Sequence, residues 1–231
     1  MVLRRRLAIQ PDDREICVGD IVAKGPKSLA VLRFCKENAV TVIRGNHEDK
    51  YIRYHRHEIQ RLHTGKHNPM KLENEELALY EHMTDEDISY LASLPLFVRM
   101  ERLIVVHAGI LPATDLEHLD KRAAAQIMRV RYLDTEGNFV HLDASDPARH
   151  FWWSDLYDGR YGYVVYGHQP FWRPRFDRWS FGIDTGAVYG NRLTAIVFDY
   201  KDEPIIESYR FVDIPTPAYT QKKRGWIVAD S

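Results

Sequence analysis

Cysteine is scarce in this sequence: Cys17 and Cys35 are the only two among 231 residues, and both sit in apolar runs. That placement argues against a disulfide framework and for reduced core thiols in a cytosol-like compartment. No apolar stretch approaches the length of a membrane span. Charge of one sign is not in excess either. Lys and Arg total 32 against 33 Asp and Glu, a formal net charge of −1, which excludes the basic signature of a general nucleic-acid binder. The Arg4-Arg5-Arg6 cluster lacks the apolar run and small-residue cleavage site of a secretory signal. It reads as the end of an amphipathic helix entering a strand, with a short organelle presequence as the alternative. Internal repeats and low-complexity linkers are also missing, so a single domain is expected over residues 1–212, followed by a tail at 213–231.

Hydrophobic residues make up 45% of the chain, enough for a sizeable core. Residues 15–18 form a short apolar run ending at Gly19-Asp20. Ser28 is placed to cap a helix carrying Leu29, Val31, Leu32 and Cys35 inward, and residues 40–43 form a β-branched strand ending at Arg44-Gly45-Asn46-His47. This strand–helix–strand order predicts a parallel pair. A polar helical region follows over residues 48–81, broken near 64–69. Thr84-Asp85-Glu86-Asp87 is a capping box opening a helix to Leu94. Strands are expected at 96–100 and 103–106, at 163–166, and at 179–183, 193–198 and 205–211.

Asp20, Asn46, His107 and His168 each lie just past the carboxyl end of one of these strands. Ligands bind at that edge of open α/β sheets, so four strands can bring these side chains to one place. Imidazole nitrogens with carboxylate and amide oxygens suit a divalent transition metal.

Gly19-Asp20-Ile21-Val22-Ala23-Lys24-Gly25-Pro26, Arg44-Gly45-Asn46-His47-Glu48, His107-Ala108-Gly109 and Gly167-His168 occur in that order. In this the chain resembles the calcineurin-like metallophosphoesterases over about residues 5–200. It is most similar to the phosphoprotein-phosphatase branch and, by the neutral residue before Lys24, to ApaH-like phosphatases acting on bis(5'-nucleosyl) tetraphosphates. The resemblance implies a four-layer αββα sandwich of two mixed β-sheets flanked by helices. It implies that Asp20 bridges two metals and that Asn46, His107 and His168 complete the shell of one of them. His47 matches the general acid, Lys24 the place of a phosphate-contacting Arg, and Arg44 a basic residue beside the site. Asp184 matches a supporting position. Manganese, zinc or iron would serve as the divalent ions.

Three departures stand out. The family's opening Gly-Asp-x-His-Gly motif is absent, since no histidine precedes His47, so one metal site is complete and the other incomplete. The sheet is accordingly expected to lack its first strand. Ala23 stands where serine/threonine phosphatases carry an Asp beside the catalytic His, and Lys24 stands in place of Arg.

Other residues admit plainer readings. His55, His57, His63 and His67 are at metal-capable spacings but fit a solvated insertion. Phe151-Trp152-Trp153 with Tyr157, Tyr161 and Tyr163 fits core and pocket wall, or a nucleobase-stacking surface. Arg129 and Arg131 fit either phosphate contacts or surface charges, and Lys222-Lys223-Arg224 a solvated tail. Three functions follow: hydrolysis of a phosphoester or phosphoanhydride in a small molecule, nucleotide or RNA cap; a non-catalytic phosphoesterase-like module that binds a protein partner; or a shortened form of an active phosphatase.

Overall fold

The computed structural model describes residues 1–22, 24–201 and 204–219; Ala23 and the Lys222-Lys223-Arg224 run lie outside the described residues. The chain begins with α1 (Val2–Leu7), β1 (Ile16–Cys17), α2 (Ser28–Glu37) and β2 (Thr41–Val42). β1 and β2 pair in parallel as expected, Ile16 opposite Thr41 and Cys17 opposite Val42. Within α2, Leu32 and Cys35 are buried, but Val31 is 42% exposed. Ser28 does not cap this helix. It is the first helical residue, and its hydroxyl donates to the Gly25 carbonyl at 2.9 Å, closing the preceding turn.

Three helices follow: α3 (Asn46–Thr64), α4 (Asn74–Glu81) and α5 (Asp85–Ser93). α3 stops at Gly65, whose φ of 69° is the left-handed conformation that favours glycine at a helix end. α5 opens on the expected capping box, the Thr84 hydroxyl accepting from the Asp87 N–H and the Asp87 carboxylate from the Thr84 N–H. Leu32, Val42, Tyr51, Ile88 and Leu91 pack these helices against β1–β2.

The remaining elements are β3 (Phe97–Arg99), β4 (Leu103–Val106), α6 (Lys121–Ile127), β5 (Tyr132–Leu133), β6 (Phe139–Val140), β7 (Phe151–Trp152), α7 (Trp153–Leu156), β8 (Tyr163–Tyr166), β9 (Arg175–Asp177), β10 (Ser180–Gly182), β11 (Arg192–Tyr200) and β12 (Pro204–Pro215). Their centre is a mixed five-stranded sheet in the order β3-β4-β8-β10-β9. Each of Leu103, Ile104, Val105 and Val106 in β4 is buried, as a strand covered on both faces requires. One face meets a core around Trp153, Tyr166 and Phe171; the other, through Val105, Val165 and Phe181, meets β11–β12. The expected α/β arrangement of mixed sheets flanked by helices is therefore present. β12 runs past the expected boundary at 212, because Ile214 and Asp213 are still paired with Leu193 and Thr194.

Among the described residues β1 pairs only with β2, and β11 only with β12. Both strands line one cleft of about 2700 Å³, together with Val31, Val105 and Val165. Asp20, Asn46, His47 and His168 line the same cleft.

Candidate metal centre

Strand ends deliver the side chains. β1 leads into Asp20, β2 into Asn46 at the first turn of α3, β4 into His107, and β8 into His168. Ligand atoms of Asp20, His107 and His168 all fall within 4.8 Å of one another. His107 Nε2 is 3.1 Å from Asn46 Oδ1, 3.1 Å from His168 Nδ1 and 3.3 Å from Asp20 Oδ1. All four predicted ligands are thus brought together.

Two glycines make this approach possible. A Cβ at Gly19, where φ is 97°, would come within 2.5 Å of the Ile43 carbonyl oxygen and 2.9 Å of His107 Nδ1. A Cβ at Gly45 would overlap Asp20 Oδ1 and come within 2.8 Å of His107 Cε1.

Protonation decides what the cluster can hold. His107 Nδ1 lies 2.7 Å from the Val18 carbonyl oxygen, which only accepts, so Nδ1 carries the proton. Nε2, the other ring nitrogen, faces Asn46 Oδ1, His168 Nδ1 and an Asp20 carboxylate oxygen. Oxygen acceptors converging on that nitrogen favour a positive charge among them, which a proton on Nε2 or a bound metal ion can supply. Burial pushes the His168 imidazole well below its ordinary value, and Arg131 adds to this, so the ring stays neutral and able to ligate. Burial would lower His107 too, but the Asp20 charge and hydrogen bond carry it upward. Asp20 is driven far below the carboxylate range: burial opposes this, and the charge and hydrogen bond of His107 outweigh it. A positive centre is what the arrangement calls for, and the mixed N/O donor set fits a divalent transition metal.

The remaining predicted residues are placed as follows. The His47 N–H donates to Asp20 Oδ1 at 3.2 Å, and its Nε2 stands 4.0 Å from Asp20 Oδ2. Burial lowers the His47 pKa, with Asp20 pulling the other way and Lys24 reinforcing it. Lys24 lines the cleft and donates to the Tyr189 hydroxyl at 2.6 Å. Asp184 lines it too and accepts from the Gly186 N–H at 2.9 Å. Arg44 is not brought to the cluster. Its guanidinium donates to the Ala92 carbonyl and, at 2.9 Å, to that of Leu94, closing the exposed end of α5. Of the two arginines left open by the sequence, Arg129 is bound to Asp49 at 2.8 Å. Arg131 lines the cleft with its Nε donating to Gln169.

Comparison with known proteins agrees with this geometry. The sequence profile of the calcineurin-like phosphoesterases matches residues 3–198. The chain belongs to that family. It is 30% identical to the asymmetrical bis(5'-nucleosyl)-tetraphosphatase PrpE of Bacillus velezensis, over 87% of this chain and 80% of that protein. Against the PrpE of Halalkalibacterium halodurans it is 33% identical, over 94% of this chain and 85% of the relative. A crystal structure of a proposed diadenosine tetraphosphatase superposes with a TM-score of 0.71 at 20% identity, covering 93% of this chain and 86% of that one. In this calcineurin-like phosphoesterase the Asp20–His107–His168 cluster is therefore a metallophosphoesterase-type site. Sequence reasoning gave no role to Glu48, although it stands in the Arg-Gly-Asn-His-Glu run. Nothing along the chain signals that its carboxylate reaches residues 26 and 28 positions away.

Proposed function

We propose that this chain hydrolyses a phosphoanhydride or phosphoester of a nucleotide-type substrate, with Asp20, Asn46, His107 and His168 holding a divalent metal. The convergence of four lone-pair donors on one point carries this reading, and the named activity of the PrpE relatives supports the substrate class. The ion, when bound, supplies Lewis acidity toward a phosphoryl oxygen. Lys24 and Arg131, both lining the cleft, neutralise charge on the transferring phosphoryl group. His47, beside Asp20, hands a proton to the leaving oxygen. The test combines metal analysis of the purified protein with turnover of p-nitrophenyl phosphate, a dinucleoside tetraphosphate and a cap analogue. Bound metal and turnover are expected, both lost in Asp20→Ala and His107→Ala. No metal and no turnover across the panel would overturn the reading.

A second reading, a phosphoesterase-like module that binds a partner without catalysis, is favoured by one observation. Among the described residues only one cluster of metal-ligating side chains forms, leaving Asp20 alone to serve a second ion. It predicts that metal binds without turnover.

A further inference from the structure

Two of the four cluster residues sit on strained backbone. Asp20 has a φ of 57° and His168 of 67°, two of only four non-glycine residues with positive φ among those described. A non-glycine residue in that region costs on the order of 1–3 kcal/mol and persists only where its surroundings hold it. For Asp20 the holding group is identifiable. Glu48 Oε2 accepts from the Asp20 N–H at 2.9 Å and from the Gly45 N–H at 2.8 Å, while Oε1 accepts from the Val22 N–H at 3.2 Å. The Glu48 side chain is fully buried, and no cation pairs with it among the described residues.

The Gly45 bond is ordinary helix chemistry, the third residue of α3 reaching back to the residue before the helix. The bonds to Asp20 and Val22 are not. They tie the loop after β1 to the start of α3, the two segments that supply Asp20 on one side and Asn46 and His47 on the other. Burying a carboxylate without a counter-ion is costly unless backbone donors satisfy it. Three such donors do so here, and each belongs to a segment that shapes the site.

We propose that Glu48 is a positioning residue for the metal centre: its carboxylate clamps the amides of Asp20, Val22 and Gly45, and so holds Asp20 in the left-handed conformation that presents its side chain to the cluster. The inference rests on the reading of that cluster as a metal site. Glu48→Gln keeps the shape but replaces one acceptor oxygen with an NH2 group. Either orientation of the amide sets that donor against at least one backbone N–H.

Mn²⁺ affinity of the metal-free protein measures the clamp directly, and the visible spectrum of bound Co²⁺ reports the ligand geometry. Glu48→Gln is expected to weaken Mn²⁺ binding by about 10–100-fold, the range for groups that orient metal ligands, and to change the Co²⁺ spectrum. Leu116→Ala, a buried core change outside the elements that deliver the four cluster residues, controls for lost stability and is expected to leave both readouts unchanged in its folded fraction. Should Glu48→Gln not fold, Glu48→Asp is measured in the same way; it keeps the charge but is too short to span all three amides. If the native protein binds no metal, the reading of the cluster fails. If the native protein binds metal and a folded Glu48 variant binds it equally, with an unchanged Co²⁺ spectrum, the clamp is refuted while the metal site stands.

Discussion

β4 and β1 each lead into a cluster residue, but they are supported differently. β4 is hydrogen-bonded on both edges, to β3 and to β8, and every residue in it is buried. Among the described residues β1 is bonded on one edge only, to β2, and it lines the cleft. His107 therefore inherits its position from a closed sheet. Asp20 depends on local devices instead: Gly19, Gly45 and the Glu48 carboxylate. A single site can thus join a rigid half to a half braced by a few side chains, and the two should respond differently to perturbation.

The largest effect is expected at the chemistry the two halves share. His47→Ala should lower kcat by about 10²–10⁴-fold, the usual worth of a general acid, while Mn²⁺ affinity stays close to native. Steady-state kinetics beside metal titration checks this; turnover untouched by the change would remove His47 from the role of general acid. The contrast between the strands is sharpened by truncating one residue in each. Ile104→Ala, in β4 and with no solvent exposure, should cost about 2–5 kcal/mol in urea unfolding. Ile16→Ala, half-buried beside the cleft, should cost roughly half as much or less, because fewer atoms leave an apolar setting. Equal losses would mean that β1 is as enclosed as β4.

Smaller effects probe the helical layer behind β1. Asp87 caps α5 and accepts from Arg33 of α2 at 2.9 Å, so Asp87→Ala should cost about 1–2 kcal/mol near neutral pH. Burial would raise the Asp87 pKa, but the Arg33 and Thr84 hydrogen bonds bring it below the ordinary value. A depressed carboxylate contributes stability above its unfolded pKa and loses it as pH falls through the folded one. The gap in Tm between native protein and Asp87→Asn should accordingly close as pH drops from about 5 toward 3. The smallest effect concerns Cys17, which lines the cleft but whose thiol burial pushes up to about 12. With a thiolate fraction of roughly 10⁻⁴ at pH 8, it should alkylate far more slowly than a free cysteine, by mass spectrometry of iodoacetamide-treated protein.

Much of the fold could be read from the chain. The capping box at Thr84, the buried runs at 103–106 and 163–166 and the parallel β1–β2 pair all follow from local pattern. The two-residue strands β5, β6 and β7 did not, because a pair of residues carries no period. Val31 was expected inward and lines the cleft instead, since helical spacing alone cannot tell a core from an open groove. Arg44 shows the same limit: its position beside Asn46 is sequential, while its guanidinium is taken by carbonyl groups around the end of α5.

The sequence by itself determined which atoms are available: a carboxylate, a carboxamide and two imidazoles, each placed after a strand, with glycines beside them to admit close approach. Those choices are covalent and local. Only the tertiary structure decided which of them meet, that Glu48 reaches across to the Asp20 loop, that Arg131 rather than Arg129 faces the cleft, and that β1 and β11 border that cleft. Hydrogen bonds and burial between distant segments settle such matters, and they come into being only when the chain folds.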